Sequence, residues 1–317
     1  MRIEKVLRLL RRLSPFVAGL LFIALLFRFV WRDTLFFTAP AFYALPLPLH
    51  AAGWLWLAAL NWKTGPRKAL LSARAISLGM VILMLGLWVA ETKLLSRQLP
   101  PPASNGPRIF FWNIGHTHKV PDAVHELLDE LSPDVAAFAE AENIRGDGER
   151  ALESRHPGYE VHALPAGMLC MVKGKASLAS SRGLPQSSVV QIVSARFARF
   201  EGEWRICLTD IGPMPPLPRE PLLSEVYKTA GSHSRTIILG DFNTPLGSAA
   251  FDKWRDAFHH GFADCSAWHG PLETWAFGVP ILAIDHIWMS PDLVPVRAQK
   301  GTRFGQDHSW IMVECGM

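Results

Sequence analysis

The sequence predicts an α/β body of two packed β-sheets covered by helices, carried behind an apolar helical head. Three observations predict it. Three long apolar stretches, nearly free of charge, lie within residues 1–97. From residue 108 onward, short apolar runs alternate with amphipathic stretches, and strand-like runs outnumber helical ones, which suits two sheets better than one doubly wound sheet. The charge divides at the same place: residues 1–98 hold 13 Lys/Arg against 3 Asp/Glu (+10), whereas residues 99–317 hold 19 against 25 (−6). The formal +4 of the whole chain therefore describes neither part, and the basic excess marks the head rather than a nucleic-acid surface on the body. With 49% hydrophobic and 19% charged residues the chain is too apolar for disorder. Four Cys without a CxxC pair exclude a zinc ribbon and a thioredoxin-type motif.

The head comes first in order. Pro15–Trp31 is interrupted only by Arg28, while Phe36–Leu60 and Ala75–Ala90 carry no charge. A bilayer core needs ~20 residues of helix, which the first and third stretches reach with their flanks. Pro40, Pro46 and Pro48 predict that the second is kinked or starts late, nearer Leu47. Trp31, Trp54, Trp56, Trp62 and Trp88 lie near the expected ends, as interfacial anchors do. The first stretch also fits a cleaved signal peptide, but no small-x-small site follows closely and two more apolar stretches do. The expectation is about three spans, with two spans or a re-entrant segment as the alternative. Arg2, Lys5, Arg8, Arg11 and Arg12, with Lys63, Arg67, Lys68 and Arg74, put the N-terminus and the second loop inside. Three crossings then put the body outside, which in a bacterial inner membrane is the periplasm. Residues 98–107 are Pro-rich and read as an extended linker, so the expected domains are 1–97, 98–107 and 108–317.

In the body, Arg108–Trp112 reads as a buried strand and Pro121–Leu131 as a helix with Val124, Leu127, Leu128 and Leu131 on one face. Val135–Ala139, Met168–Val172, Val189–Phe197 and Trp204–Ile211 read as strands. Pro221–Ala230 is a helix, Thr236–Leu239 a buried strand and Ser248–His259 a helix. Ile281–Met289 and Trp310–Val313 are the last strands. Cys170 and Cys207 read as buried small hydrophobes; an outside location permits a disulfide involving Cys265 or Cys315, whose pairing spacing alone leaves open.

The polar residues that matter stand where apolar runs stop. Asn113 ends the first strand, Glu140 the second, and Asp241 and Asn243 follow Thr236–Gly240; Asp285 interrupts Ile284 and Ile287, and Asp307-His308 precede the last strand. Loops converge above strand ends in α/β folds, and carboxylates with an amide suit a hard cation such as Mg²⁺. Each also has a plainer reading: a turn for Asn113 with Gly115 and for Gly240–Asn243, a surface strand end for Glu140, a chance pair for Asp307-His308. His116 and His118 lie near enough to Asn113 to touch substrate. His259-His260 reads as a solvated helix end, and His286 points away from Asp285 by strand alternation. Trp268 and Trp275 fit either a substrate-facing loop or a core anchor.

In that order, the residues resemble the endonuclease/exonuclease/phosphatase superfamily, metal-dependent phosphoesterases that include nucleases, sphingomyelinases and inositol-polyphosphate phosphatases. Ile237-Ile-Leu-Gly-Asp-Phe-Asn-Thr-Pro245 is similar to the family's GDFN-x-x-P, and Trp112-Asn113 to its first-strand Asn. Pro133–Glu140 is similar to "PDVLALQE" with Ala139 for Gln, Ala283–Ser290 to "IDHIFVS", and Gln306-Asp-His308 to "SDH" with Gln306 for Ser. The head resembles that of bacterial integral-membrane members. The resemblance spans Arg108–Glu314 and implies a four-layer α/β sandwich, two mixed sheets flanked by helices. It implies Mg²⁺ or Mn²⁺ held by Glu140 with Asn113 and Asp307 nearby, Asp241 activating water, Asn243 contacting phosphate, and His308, steered by Asp285, donating to the phosphoryl group. One position departs: where the family pattern has a phosphate-contacting His, this chain has Asp210, which cannot donate to a phosphate oxygen unless protonated. The expected function is a membrane-anchored, metal-dependent phosphoester hydrolase acting on a lipid headgroup, a small phosphoester or nucleic acid, with the bilayer as its other partner. The acidic body favours the first two. The alternative is a membrane-anchored binding or sensing module whose site Asp210 has disabled.

Overall fold

The computed structural model describes residues 2–60, 67–92, 104–116, 122–142, 144, 146–213, 219–276, 281–303 and 305–317. Trp62, Lys63, His118, most of the linker and residues 214–218 of the loop after β7 lie outside them. Two compact units form, one within Met1–Ser96 and the other from Arg97 onward.

In the first unit α1 (Arg2–Leu26) runs into a π-helical turn, Phe27–Trp31, and α2 (Ala39–Ala44), α3 (Leu47–Leu60) and α4 (Arg67–Glu91) follow. Ile3–Trp31 and Ala73–Glu91 are long and apolar enough to cross a membrane. The Phe36–Leu60 stretch is not one helix. Pro46 has no N–H and disfavours helical backbone at Leu45, so the chain breaks there and α3 starts at Leu47. Its 14 residues rise ~21 Å at ~1.5 Å per residue, short of a ~30 Å core. Leu21, Leu25, Leu47, Ala51, Trp54, Leu57 and Met84 pack together inside the unit. Outside it, Phe16 is 66% and Ile82 73% exposed. Arg11 Nε donates to the Leu60 carbonyl at 3.0 Å, so the end of α3 lies beside the N-terminal half of α1. Arg28 Nη2 reaches Glu91 at 3.4 Å, so α1 and α4 finish at the same end.

The body is two mixed six-stranded sheets flanked by helices, as the sequence predicts. Its strands are β1 (Arg108–Asn113), β2 (Val135–Ala139), β3 (Glu160–Leu164), β4 (Met168–Val172), β5 (Gly174–Gly183), β6 (Val189–Phe197), β7 (Trp204–Asp210), β8 (Thr236–Asp241), β9 (His259–His260), β10 (Asp285–Met289), β11 (Val294–Gly301) and β12 (Trp310–Gly316). The sheet orders are β11-β12-β1-β2-β4-β3 and β5-β6-β7-β8-β10-β9. Each sheet has one parallel pair, β1–β2 and β7–β8, crossed by α5 (Asp122–Leu131) and α7 (Glu220–Ala230) respectively. A parallel pair needs such a crossover, and both strands of each pair then end at the same edge of their sheet.

Alternation sorts the side chains into layers. Ile109, Phe111, Val135, Ala137, Leu208, Ile237, Leu239, Ile287 and Val313 form the core between the sheets. Phe110 and Trp112 turn outward to Val124, Leu127 and Leu128 of α5. Ile238 and Phe242 turn outward to Leu223 and Val226 of α7. All four cysteines are buried and free, so no disulfide involves Cys265 or Cys315.

Three readings change in detail. The expected Ser248–His259 helix is a 3-10 turn, Ala249–Phe251, and α8 (Asp252–Ala257); Phe258 is extended, and His259-His260 pair with β10 instead of ending a helix. The Ile281–Met289 strand begins only at Asp285, because Leu282 bridges to Trp275. α6 (Asp147–Arg155), β3, β5 and β11 lack an apolar run to announce them; β5 is an exposed edge strand.

Gly240 is held at φ +154°, where a Cβ would stand 1.8 Å from the Thr209 carbonyl oxygen. Gly240→Ala is expected to cost about 2–4 kcal/mol, seen as a lower melting temperature of the full chain in detergent.

Candidate active site

The ends of the two parallel pairs supply the site. Asn113 closes β1, Glu140 follows β2, and Asp210 and Asp241 close β7 and β8 in register. Asp285 opens β10, antiparallel to β8 and directly opposite Asp241. His308 lies just before β12.

Asn113 is fully buried. Its Nδ2 donates to Glu140 Oε1 at 3.0 Å and to Asp241 Oδ2 at 3.1 Å, while its Oδ1 accepts from the Gly115 amide at 3.0 Å. One amide thus ties the two sheets together at the site. Asp241 Oδ1 accepts from the Asn243 amide at 2.8 Å, and Asn243, at φ +44°, donates from Nδ2 to the Ile211 carbonyl at 2.8 Å. His308 is 6% exposed. Its Nδ1 contacts Asp285 Oδ2 at 2.9 Å and its Nε2 stands 3.9 Å from Asp241 Oδ2. Ligand-type atoms of Asp241, Asp285 and His308 all lie within 4.8 Å of one another.

The electrostatics follow from this crowding. Burial disfavours a charged His308, but the Asp285 carboxylate on Nδ1, then Asp241 and Asp307, outweigh it and raise its pKa to about 10. The ring is therefore an imidazolium at neutral pH. Burial and the neighbouring Asp285 hold the Asp241 carboxyl well above its ordinary range, and His308 opposes them. Asp210 is half-buried; burial, then Glu140, Glu142 and Asp285, push it up to about 7, with His116 opposing.

The structure thus brings together Asn113, Glu140, Asp241, Asn243, Asp285 and His308. Asp210 joins them from β7. Asp307 stays half-buried at the rim, its Oδ1 near Gly115. His116 is exposed and bridges Glu140 Oε2 at 3.3 Å and Glu142 Oε1 at 2.9 Å, so it reaches the mouth. Trp268 packs on Phe262 in the core, whereas Trp275 bridges to His308 by backbone. Sequence reasoning missed three supports. Glu142 carries no motif. Thr274 Oγ1 accepts from the Asp285 amide at 3.1 Å across a loop with no spacing rule. Trp112 Nε1 donates to the His308 carbonyl at 3.1 Å, and its place beside Asn113 was the available signal.

The Endonuclease/Exonuclease/phosphatase family model matches residues 110–308. The chain belongs to that family, whose members hydrolyse phosphoesters and are generally dependent on a divalent metal. No curated protein matches it. Similar solved structures include an endonuclease/exonuclease/phosphatase from Beutenbergia cavernae (TM-score 0.52, 16% identity, 67% of this chain and 71% of that one). The human Nocturnin catalytic domain with bound sulfate is also similar (0.50, 15%, 69% and 96%). So is D. rerio TDP2 complexed with a single-strand DNA product (0.50, 14%, 67% and 100%). At these identities the likeness is one of fold.

His308 titrates near 6.5 when unfolded and about 10 when folded, so its stabilisation is full below about pH 6.5 and is lost as pH rises through about 10. His308→Asn is expected to lower the melting temperature at pH 6, with the gap to wild type closing toward pH 10. A gap unchanged across that range would contradict the buried imidazolium.

Proposed function

We propose that the chain is a membrane-anchored, divalent-metal-dependent phosphoester hydrolase of the phosphodiesterase type. The observation that carries the reading is the buried Asp241–His308–Asp285 row beside the Asn113–Glu140 pair.

The donor set fits a hard cation. Glu140 and Asp307 offer carboxylate oxygen, while Asn113, its Nδ2 donating to Glu140 and its Oδ1 accepting from Gly115, would hold Glu140 in place; burial first, and then the neighbouring carboxylates, raise Asp241 and Asp210. Asp241, Asp285 and His308 form a less suitable cage, because an imidazolium hydrogen-bonded to Asp285 has no free lone pair for a metal. Glu140 would hold Mg²⁺ or Mn²⁺, with Asn113 and Asp307 nearby, and the cation would neutralise charge on the phosphoryl oxygens.

The rest falls to the chain's own groups. Asp241 would accept a proton from the attacking water, aided by burial that makes its carboxylate more basic. The turn that fixes Asn243 would aim its amide at a phosphoryl oxygen. His308 would donate from Nε2, its ring orientation set by Asp285. Asp210, near neutrality, has a protonated form able to donate where the family pattern has His.

Substrate preference follows from charge. With the body at −6, and Glu142 and Asp210 beside the site, a lipid headgroup or small phosphoester fits better than a polyanionic nucleic acid. The apolar outer surface of α1 and α4 supports a membrane location and the division into 1–97, 98–107 and 108–317. The head's own ends support an odd number of crossings. Arg11 and Leu60 lie at one end and Glu91 at the other, so the basic N-terminus would be cytoplasmic and the body periplasmic in a bacterial inner membrane. Asp210 beside Glu140 and Glu142 favours one second reading, a binding module with a disabled site.

Full-length chain in detergent is expected to hydrolyse bis(4-nitrophenyl) phosphate with Mg²⁺ or Mn²⁺ and not with EDTA. Asp241→Ala and His308→Ala should each lower kcat by about 100-fold or more. Turnover unaffected by EDTA or by both variants would contradict the proposal. Metal binding without turnover, restored by Asp210→His, would establish the binding module instead. A C-terminal fusion to a reporter active only in the periplasm should be active; a cytoplasmic signal would refute the orientation.

A further inference from the structure

Two histidines that the chemistry above does not use form a chain of hydrogen bonds behind the site. His260 Nδ1 accepts from the Ala263 amide at 3.0 Å and the Phe262 amide at 3.3 Å. A backbone N–H can only donate, so Nδ1 carries no proton and the neutral ring has its hydrogen on Nε2. That Nε2 faces His286 Nδ1 at 3.1 Å, which must accept. His286 therefore carries its hydrogen on Nε2, which faces the Thr244 carbonyl at 2.8 Å. The backbone groups at the two ends fix both tautomers, and a proton added to either ring would set two donors against each other.

The chain ends at a sensitive point. Thr244 follows Asn243, whose positive φ turns the backbone out of β8 and whose amide holds Asp241 Oδ1. The turn is also held by Thr244 Oγ1 to the Phe242 carbonyl at 2.7 Å, by Asn243 Nδ2 to the Ile211 carbonyl at 2.8 Å, and by the Ile211 amide to the Asp241 carbonyl and the Phe242 amide to the Ile284 carbonyl, both at 2.9 Å. His286 itself is 1% exposed and is packed edge-on against Phe242 and Phe251, with ring centroids 5.4 and 5.1 Å away. Two adjacent residues of β10 thus face opposite ways: Asp285 meets His308 Nδ1, and His286 donates to the Thr244 carbonyl, next to Asn243.

We infer that His286, backed by His260, is a positioning residue that holds the Asp241–Asn243 turn in its working geometry through the Thr244 carbonyl. The inference deepens the hydrolase reading and rests on it for its kinetic consequence, whereas its structural consequence stands alone. Gln can place an amide donor where Nε2 of His stands, whereas Leu fills the space without a donor. The two substitutions therefore separate the bond from the packing.

The experiment uses the full-length chain in detergent with bis(4-nitrophenyl) phosphate and Mg²⁺, and follows amide hydrogen exchange of the peptide 241–247 by mass spectrometry. His286→Leu is expected to lower kcat at least tenfold with KM within twofold, and to speed exchange of that peptide at least tenfold. His286→Gln should stay within about threefold of wild type in both. His260→Leu, farther from the turn, should shift both in the same direction by a smaller factor, and it serves if His286→Leu does not fold. Equal losses in the Leu and Gln variants, or unchanged exchange in the folded Leu variant, would overturn the inference. If wild type hydrolyses nothing, the hydrolase reading fails and the exchange measurement alone decides whether the relay holds the turn.

Discussion

One buried cation holds the site together. Asp241 and Asp285 are almost completely enclosed, and enclosing carboxylates is costly unless they are paired and hydrogen-bonded. His308 stands between them, 2.9 Å from one and 3.9 Å from the other. Asn113 and the Asn243 amide supply the remaining bonds to Asp241. The frame is built around this arrangement. Two parallel pairs end at one edge, Gly240 lets β8 pass close to Thr209, and Trp112 and Thr274 hold the segments carrying His308 and Asp285. His308 does not balance every negative group. Glu140 and Glu142 share the exposed His116, and Asp210 is pushed up to about 7 beside them, so carboxylates outnumber cations there among the described residues.

The sequence made legible whatever depended on local pattern. Continuous apolar runs marked the buried strands β1, β2, β4 and β8, because both their faces are covered. Polar residues where apolar runs stop or are interrupted, in β1, β2, β8 and β10 and before β12, marked six of the groups that the fold gathers. Elements set by tertiary context were not legible. β5 is polar and exposed on an edge, β11 carries Pro295 and a bulge, and the short α6 buries only Leu152. His259-His260 looked like a helix end because the strand pairing that claims them comes from Trp288 and Met289, far along the chain. Alternation correctly turned His286 away from Asp285, but nothing local told where that ring would find its partner.

The head shows the same limit. Pro46 announced where α3 would begin, and the structure gives that stretch a 14-residue helix. What hydropathy lacks, end-to-end contacts supply: Arg11 beside Leu60 and Arg28 beside Glu91 order the helices within the bundle.

Calorimetric titration of Mg²⁺ into the full-length chain in detergent tests the incomplete charge balance most directly. Saturable binding that Glu140→Gln weakens at least tenfold is expected. No binding of Mg²⁺ or Mn²⁺ by the folded chain would contradict a metal-completed site and the hydrolase built on it.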